Sequence, residues 1–285
     1  MGMVRRPYDR FAGLASGTGQ GSEFPLPIVN DIKNWPFNFW TSFEFQMMKN
    51  STHKKFEVLP PNHPVLRACR EGDEAAVRDY LEEGGNPWAI SDKDDMNLVS
   101  LASLFQQIGL LKQFLEFGID PNQPVGTADR RLLHAAATYA RIDQVKLLLQ
   151  HGADPNLGDT WGFTPLHECV EQPAVVKILL EGGADPLVQQ RQGINPLHNA
   201  AARGSVESMA LLVEAGVPIN IPLKNGTTPL HKAAAAGRRD ACAWLLEHGA
   251  DPTIVNDFRR TAAEDARICN HLEVAELIEA FASRK

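Results

Sequence analysis

The stretch Thr227–Pro252 reads Thr-Thr-Pro-Leu-His-Lys-Ala-Ala-Ala-Ala-Gly-Arg-Arg-Asp-Ala-Cys-Ala-Trp-Leu-Leu-Glu-His-Gly-Ala-Asp-Pro, and it predicts two short helices. Thr228 is a favourable N-cap, and Pro229 suits the first helical position because its missing N–H would have no partner there. Gly237 and Gly249 are placed to end the two helices in the left-handed conformation. Helices this short are unstable alone in water, so each must bury its apolar face against a neighbouring copy.

Copies of both halves recur along the chain at steps of about 33 residues. The opening returns as Leu133-His134-Ala135-Ala136, Pro165-Leu166-His167 and Pro196-Leu197-His198, and the ending returns as Gly-Ala-Asp-Pro or a close variant at Gly118, Gly152, Gly183 and Gly249. This double pattern resembles the ankyrin repeat family, with its Thr-Pro-Leu-His, Ala-Ala and Gly-Ala-Asp motifs. The resemblance implies an all-α fold, a solenoid of about seven helix-turn-helix repeats with β-hairpin loops.

The repeat pattern divides the chain into three predicted regions. Residues 1–34 are glycine-rich and predict a flexible N-terminal arm. Residues 35–62 predict an aromatic-rich cap, β-rich or irregular, in which alternating residues from Phe37 to Met47 and the segment Phe56–Leu59 could form a β-hairpin. This segment either covers the first repeat or docks on another protein. Residues 63–285 form the ankyrin array, with degenerate first repeats and a C-terminal capping repeat.

Charge and composition exclude several classes of partner. Residues 1–62 carry 7 basic and 5 acidic side chains, which leaves 21 basic and 30 acidic in the rest, a balance of −9 that disfavours nucleic acid. No apolar run is long enough to span a membrane. The cysteines Cys69, Cys169, Cys242 and Cys269 show no paired spacing, so they read as small core residues in a reducing compartment. A cytoplasmic location is predicted, with the nucleus as an alternative.

The repeated histidines His134, His167, His198 and His231 could suggest a metal or catalytic site. Successive repeats stack about 10 Å apart, whereas zinc holds its nitrogen ligands near 2 Å, so no metal site is expected. The resemblance implies instead that these histidines tie a loop to the start of a helix. No nucleophile or acid-base motif is present, and the chain is predicted to be no enzyme and to need no cofactor.

Candidate partner-binding residues lie where the repeat pattern leaves the sequence free. The resemblance implies a concave binding face made of hairpin tips and first helices. On this sequence that face carries large or charged side chains at Arg130, Tyr139, Trp161, Phe163, Arg191 and Arg203. Ala202, Ala235 and Ala236 would leave a smooth groove beside them for a helix or an extended peptide. Trp161 and Phe163 could alternatively pack hairpin to hairpin.

Three functions follow as hypotheses. The leading one is a scaffold or adaptor that binds one partner protein through the concave face, either as a monomer or within a hetero-complex. A second is a structural subunit of a larger assembly, anchored by the aromatic N-terminal arm. The third, an enzyme with a cryptic N-terminal catalytic segment, has no acid-base or nucleophile set to support it.

Overall fold

The computed structural model describes residues 57–91, 96–125 and 127–283. Within these ranges fourteen α-helices form seven consecutive pairs, which confirms the expected repeat number and the all-α class. The pairs are α1 (Pro64–Glu71) with α2 (Glu74–Glu82), α3 (Leu98–Leu104) with α4 (Ile108–Glu116), α5 (Leu132–Thr138) with α6 (Ile142–Gln150), α7 (Pro165–Glu168) with α8 (Pro173–Glu181), α9 (Pro196–Arg203) with α10 (Val206–Glu214), α11 (Pro229–Ala235) with α12 (Arg239–Glu247), and α13 (Ala262–Ile268) with α14 (Leu272–Ala282). We number the repeats by pair and call the two members the first and second helix.

The sixth repeat follows the capping logic expected from its sequence. Thr228 is the N-cap of α11 and Pro229 occupies its first position. Gly237 and Gly249 adopt left-handed φ angles of 66° and 99° after the two helices. The backbone signals for starting and ending each helix therefore lie within the repeat itself.

The core runs continuously from repeat to repeat. First helices pack on first helices and second helices on second helices, so that α9 lies between α7 and α11, and α10 lies between α8 and α12. Leu166, Leu197 and Leu230 are all at most 1% exposed. Each helix pair thus buries its apolar face on its neighbours, as its small size requires.

The cysteines belong to this core. Cys69, Cys169 and Cys242 are buried and unpaired, and Cys269 is half-buried. Burial raises the pKa of the Cys69 and Cys242 thiols to about 12, and it raises the pKa of Cys169 as well. Thiols protonated this firmly are poor nucleophiles, so the structure gives them a packing role.

Repeat four is shortened but intact. Its first helix, α7, has only four residues, and Pro173 opens α8 at the first helical position, as its sequence predicted. A short helix leaves carbonyl groups without partners. Asn199 Nδ2 of the next first helix donates to the His167 carbonyl at 3.1 Å and satisfies one of them.

A short strand precedes the first repeat. Strand β1 (Val58–Leu59) pairs in parallel with β2 (Ile90–Ser91), and Ile90 N donates to Glu57 O at 2.8 Å. Leu59 is 3% exposed and belongs to the core. The predicted flexible arm over 1–34 and the predicted hairpin strand from Phe37 to Met47 lie outside the described residues, and of the predicted return strand Phe56–Leu59 the residues Val58–Leu59 form a strand that pairs in parallel with Ile90–Ser91.

Candidate functional site

The hairpin loops between repeats form a hydrogen-bonded row. Four of them share a closing backbone bond, from Asp159 N to Phe163 O (2.8 Å), Gln190 N to Ile194 O (2.9 Å), Leu223 N to Thr227 O (2.8 Å) and Asn256 N to Arg260 O (3.0 Å). Adjacent hairpins are bonded to one another, for example from Thr160 N to Ala128 O and from Arg191 N to Trp161 O. The tips therefore present a rigid backbone on which exposed side chains can vary.

The motif histidines support this row. In repeat four, His167 Nδ1 accepts from Thr164 N at 3.2 Å, and its Nε2 lies 3.0 Å from Ile194 O in the next hairpin. His134 and His231 make the same two kinds of contact, with Nε2 at 3.0 Å from Phe163 O and Arg260 O. These bonds require the neutral ring with its proton on Nε2. These three histidines thus join their first helices to the following hairpins.

Burial keeps these rings neutral. It lowers the pKa of His134, His167 and His198 to about 4, and it lowers the pKa of His231. Within the described part of the chain no group of three or more histidine, cysteine or acidic residues could hold a metal ion. The contacts described for these histidines are hydrogen bonds that hold neighbouring repeats together.

Trp161 is the most prominent side chain of the hairpin row. Its backbone N–H donates to Asp159 Oδ1 at 2.9 Å, and its carbonyl accepts from Arg191 N at 3.1 Å. The residue as a whole is nevertheless 55% exposed. A large aromatic side chain on a fixed backbone has little entropy to lose on binding, which favours it as an anchor for a partner.

Phe163 has a more structural environment. The residue is half-buried, its ring packs edge-on against His167 with 5.6 Å between centroids, and its carbonyl accepts the His134 bond. By sequence, Trp161 and Phe163 are alike candidate partner-binding residues. The structure separates them, because only the Trp161 side chain projects largely into solvent.

Arg130 is engaged within the protein. Its guanidinium forms a bidentate pair with Glu168, with Nη1–Oε1 at 2.5 Å and Nη2–Oε2 at 2.7 Å. The Thr138 hydroxyl also donates to Glu168 Oε2, at 2.8 Å. Burial raises the pKa of the Glu168 carboxyl, and the Arg130 and Thr138 contacts partly offset this rise. The cluster links repeats three and four.

Replacing Arg130 by methionine is expected to destabilise the fold by about 1 to 2 kcal/mol, because it leaves a largely buried carboxylate without its cation. The loss is smaller than for a fully buried pair because the Arg130 side chain is itself 36% exposed and solvent screens its charge. Urea denaturation at neutral pH measures the change.

The matched control is Arg203→Met. Arg203 pairs with Glu171 at 3.6 Å, and both side chains are at least 40% exposed, so a loss below about 0.5 kcal/mol is expected. Equal losses in the two variants would contradict a structural role for the Arg130 pair. Adding Glu168→Gln to Arg130→Met should recover part of the loss.

Tyr139 lies at another edge of the array. It follows the C-terminus of α5, which is seven residues or about 10 Å long, whereas Trp161 belongs to the hairpin row at the N-terminal ends of the first helices. Tyr139 is 51% exposed, and the Arg141 guanidinium lies 5.1 Å from its ring centre. Beside it is a cleft of about 330 Å³ between repeats two and three, bordered by Gln106, Ile108 and Ile142.

Arg191 and Arg203 are both exposed. Arg191 occupies the tip of the hairpin Gln190–Ile194, next to Trp161, and Arg203 ends α9 in the repeat that follows this hairpin. Of the six residues proposed from sequence, Trp161 and Arg191 are thus exposed side by side on the hairpin row, whereas Arg203 is exposed at the far end of α9 and pairs with Glu171. Arg130 and Phe163 lie on the same face with their side chains already in contact with the protein.

Sequence reasoning missed the residue that follows each motif histidine. These positions hold Ala135, Glu168, Asn199, Lys232 and Asp265, the last where Glu264 replaces the histidine, and all but Ala135 are polar. They lie between successive first helices, as the Glu168 and Asn199 contacts with the preceding first helix show. The sequence did contain a signal for this position, since its charge varies from repeat to repeat inside an otherwise regular motif.

Comparison with known families agrees with this architecture. A family model for ankyrin repeats in three copies matches residues 65–159, 99–190, 166–256 and 197–280, which together span most of the chain. The chain belongs to the ankyrin repeat family, whose repeats generally serve as protein–protein interaction modules and are typically non-enzymatic. The comparison with curated proteins gave no significant match. Among the described residues, no helix is both long and apolar enough to cross a membrane.

Proposed function

We propose that this chain is a scaffold or adaptor that binds one partner protein through the face formed by the hairpins and first helices of repeats three to five. The observation that carries the proposal is Trp161, a tryptophan held by two backbone hydrogen bonds and yet 55% exposed. Tryptophan and arginine are the residue types that most often dominate binding energy. Arg191 lies next to Trp161 on the following hairpin, and Arg203, at the C-terminal end of α9, could contribute only to a partner that crosses the first helix.

The proposed interface is a small anchor group on a rigid support. The hairpin backbone is fixed by bonds along the row, so binding needs little ordering of the chain. Arg130 and Phe163 contribute by holding the row in place, since Arg130 pairs with Glu168 of the next repeat and the Phe163 carbonyl accepts from His134 of the preceding one. Tyr139 extends the proposed surface only if the partner also reaches the corner after α5.

Trp161→Ala is expected to weaken capture of the partner about 30-fold, the equivalent of roughly 2 kcal/mol for a buried aromatic anchor. The full chain is used to isolate partners from a lysate, and the affinity of the purified partner is then measured for each variant. Tyr139→Ala, tested separately, shows whether the interface includes the corner.

The matched control is Phe117→Ala. Phe117 is 54% exposed but follows a second helix, α4, away from the hairpin row. Its replacement should leave affinity unchanged. Unchanged affinity for Trp161→Ala, with a folded protein by circular dichroism, would exclude the proposed face.

A further inference from the structure

The residue after the motif histidine usually has a partner within the protein. Glu168 is bound by Arg130 and Thr138, and Asn199 donates to His167 O. Asp265 pairs with Arg260 Nε at 2.7 Å and accepts from Asn256 Nδ2 at 3.0 Å. Lys232, at the same position of α11, is the exception: among the described residues its ammonium makes no hydrogen bond or ion pair.

The surroundings of Lys232 explain this exception. Glu168 is held by Arg130 and Thr138 of repeat three. The equivalent positions of repeat five, which precedes Lys232, hold Ile194 and Ala202, and neither of these side chains can pair with an ammonium. Burial lowers the pKa of Lys232, and Asp265, the acidic residue that acts on it, is already engaged by Arg260 and Asn256. Within the part of the chain that the structure describes, no carboxylate therefore forms an ion pair with this half-buried ammonium.

The hairpins and first helices of repeats five and six themselves carry basic residues only, while Glu171 of repeat four lies 3.6 Å from Arg203 and Asp265 of repeat seven acts on Lys232. Residues 186–205 and 215–239 contain six basic residues and no aspartate or glutamate, in a chain whose net charge is −7. Glu207 and Glu214, which lie between these segments, belong to the second helix α10 and are exposed there. Arg191 and Lys224 lie on neighbouring hairpins, where Lys224 Nζ donates to Arg191 O at 2.9 Å. This face of repeats five and six is thus locally basic.

The first helices on this face end in small side chains. Ala202, Ala235 and Ala236 are partly exposed and end their first helices with short side chains. An extended peptide advances about 3.3 Å per residue, so about nine residues would cross three repeats stacked about 10 Å apart.

We propose that the groove between α9 and α11, with the hairpins that carry Arg191 and Lys224, binds an acidic peptide segment, one carboxylate of which pairs with Lys232 Nζ. The inference rests on the proposed function, because it names the partner chemistry for the adjoining part of the same face. It places the charged contact in repeats five and six, beside the Trp161 anchor of repeat four.

A peptide fits these residues better than a nucleic acid. Single-stranded nucleic acids are bound by aromatic side chains that stack on bases, and residues 186–239 contain no phenylalanine, tyrosine or tryptophan. The remainder of the array is acidic and would repel a long phosphate backbone. A short acidic peptide needs only the local basic face.

The test measures binding of a labelled peptide of about nine residues, in which glutamate alternates with alanine or leucine, to the full chain by fluorescence anisotropy. A glutamine twin and a labelled oligothymidine of equal length are the comparison probes. We expect binding of the glutamate peptide only, weakening as NaCl rises because the contacts are ionic. Lys232→Met should reduce affinity at least about tenfold, as for the loss of one charged pair.

Two further variants keep the result decisive. Lys177→Met removes an exposed lysine from the second helix α8 and should leave binding unchanged. Ala202→Glu places a carboxylate where Thr138 stands beside Glu168, so it should raise the melting temperature through a pair with Lys232 and abolish peptide binding. This variant reports on the site even if Lys232→Met folds poorly.

The outcomes separate this inference from the proposed function. Equal binding of the glutamate and glutamine peptides, preferential binding of the oligonucleotide, or affinity unaffected by both Lys232→Met and Ala202→Glu would overturn the acidic-peptide site. If partner capture still depends on Trp161 in that case, the proposed interface stands without it. If Trp161→Ala leaves partner affinity unchanged while the peptide results are as expected, the proposed interface of repeats three to five is wrong and the peptide site remains supported.

Discussion

Replacing Leu197 by alanine is expected to lower the free energy of unfolding by about 3 kcal/mol. Leu197 is fully buried in α9, the first helix that packs between α7 and α11. The change removes apolar contacts and leaves a cavity that a close-packed interior fills only in part. Because α9 contributes to two interfaces, the loss weakens the coupling of the array on both sides. Urea denaturation followed by circular dichroism measures the effect.

Leu272→Ala is the matched control for this prediction. Leu272 is 55% exposed at the start of α14, so the same chemical change should cost no more than about 0.5 kcal/mol. A similar, small loss in both variants would show that Leu197 is not part of a packed core, and the repeat architecture would then be wrong.

Acidification from pH 7.5 to pH 5.0 is expected to destabilise the protein by several kcal/mol. Burial lowers the folded-state pKa of His134, His167 and His198 to about 4, whereas an unfolded histidine titrates near 6.5. Between these values the unfolded chain binds protons that the folded chain excludes. Stability is therefore complete above about pH 6.5 and declines as the pH falls towards 4, by roughly 1 to 2 kcal/mol for each of the three histidines at pH 5.

Denaturation midpoints at a series of pH values measure this dependence. His167→Gln should reduce its slope, because one titrating group is removed, even though the variant is less stable at every pH. In NMR spectra the ring protons of the three histidines should not titrate between pH 7.5 and 5.0. A midpoint that stays constant over this range would contradict the neutral, buried state of the rings.

The sequence predicted the repeats well because the signals are local. Thr228, Pro229 and Gly237 specify a helix start and end by backbone preferences that need no distant contact. Gln106 and Ala140 show the limit of such signals: they adopt left-handed φ angles of 58° and 53° at the corner where other repeats have glycine. There the packing of the neighbouring repeats overrides the local preference.

The candidate site was harder to predict, because exposure depends on neighbours. The pattern identified Arg130 as a charged residue on the binding face, but its partner Glu168 is 38 residues away in the next repeat. Tyr139 and Trp161 are close in repeat position but lie at opposite ends of the first helices. The sequence did not predict that Lys232 lacks an ion pair among the residues that the structure describes, because this depends on the apolar residues Ile194 and Ala202 of the preceding repeat.

The short parallel pairing of Val58–Leu59 with Ile90–Ser91 moves the boundary of the folded unit. The motif pattern starts the array at residue 63, yet Leu59 lies within the core and Glu57 O accepts from Ile90 N. A fragment cut at residue 63 would expose that amide and uncover the base of the first repeat. For expression as an isolated domain, or for fusion to another protein, the junction belongs before residue 57.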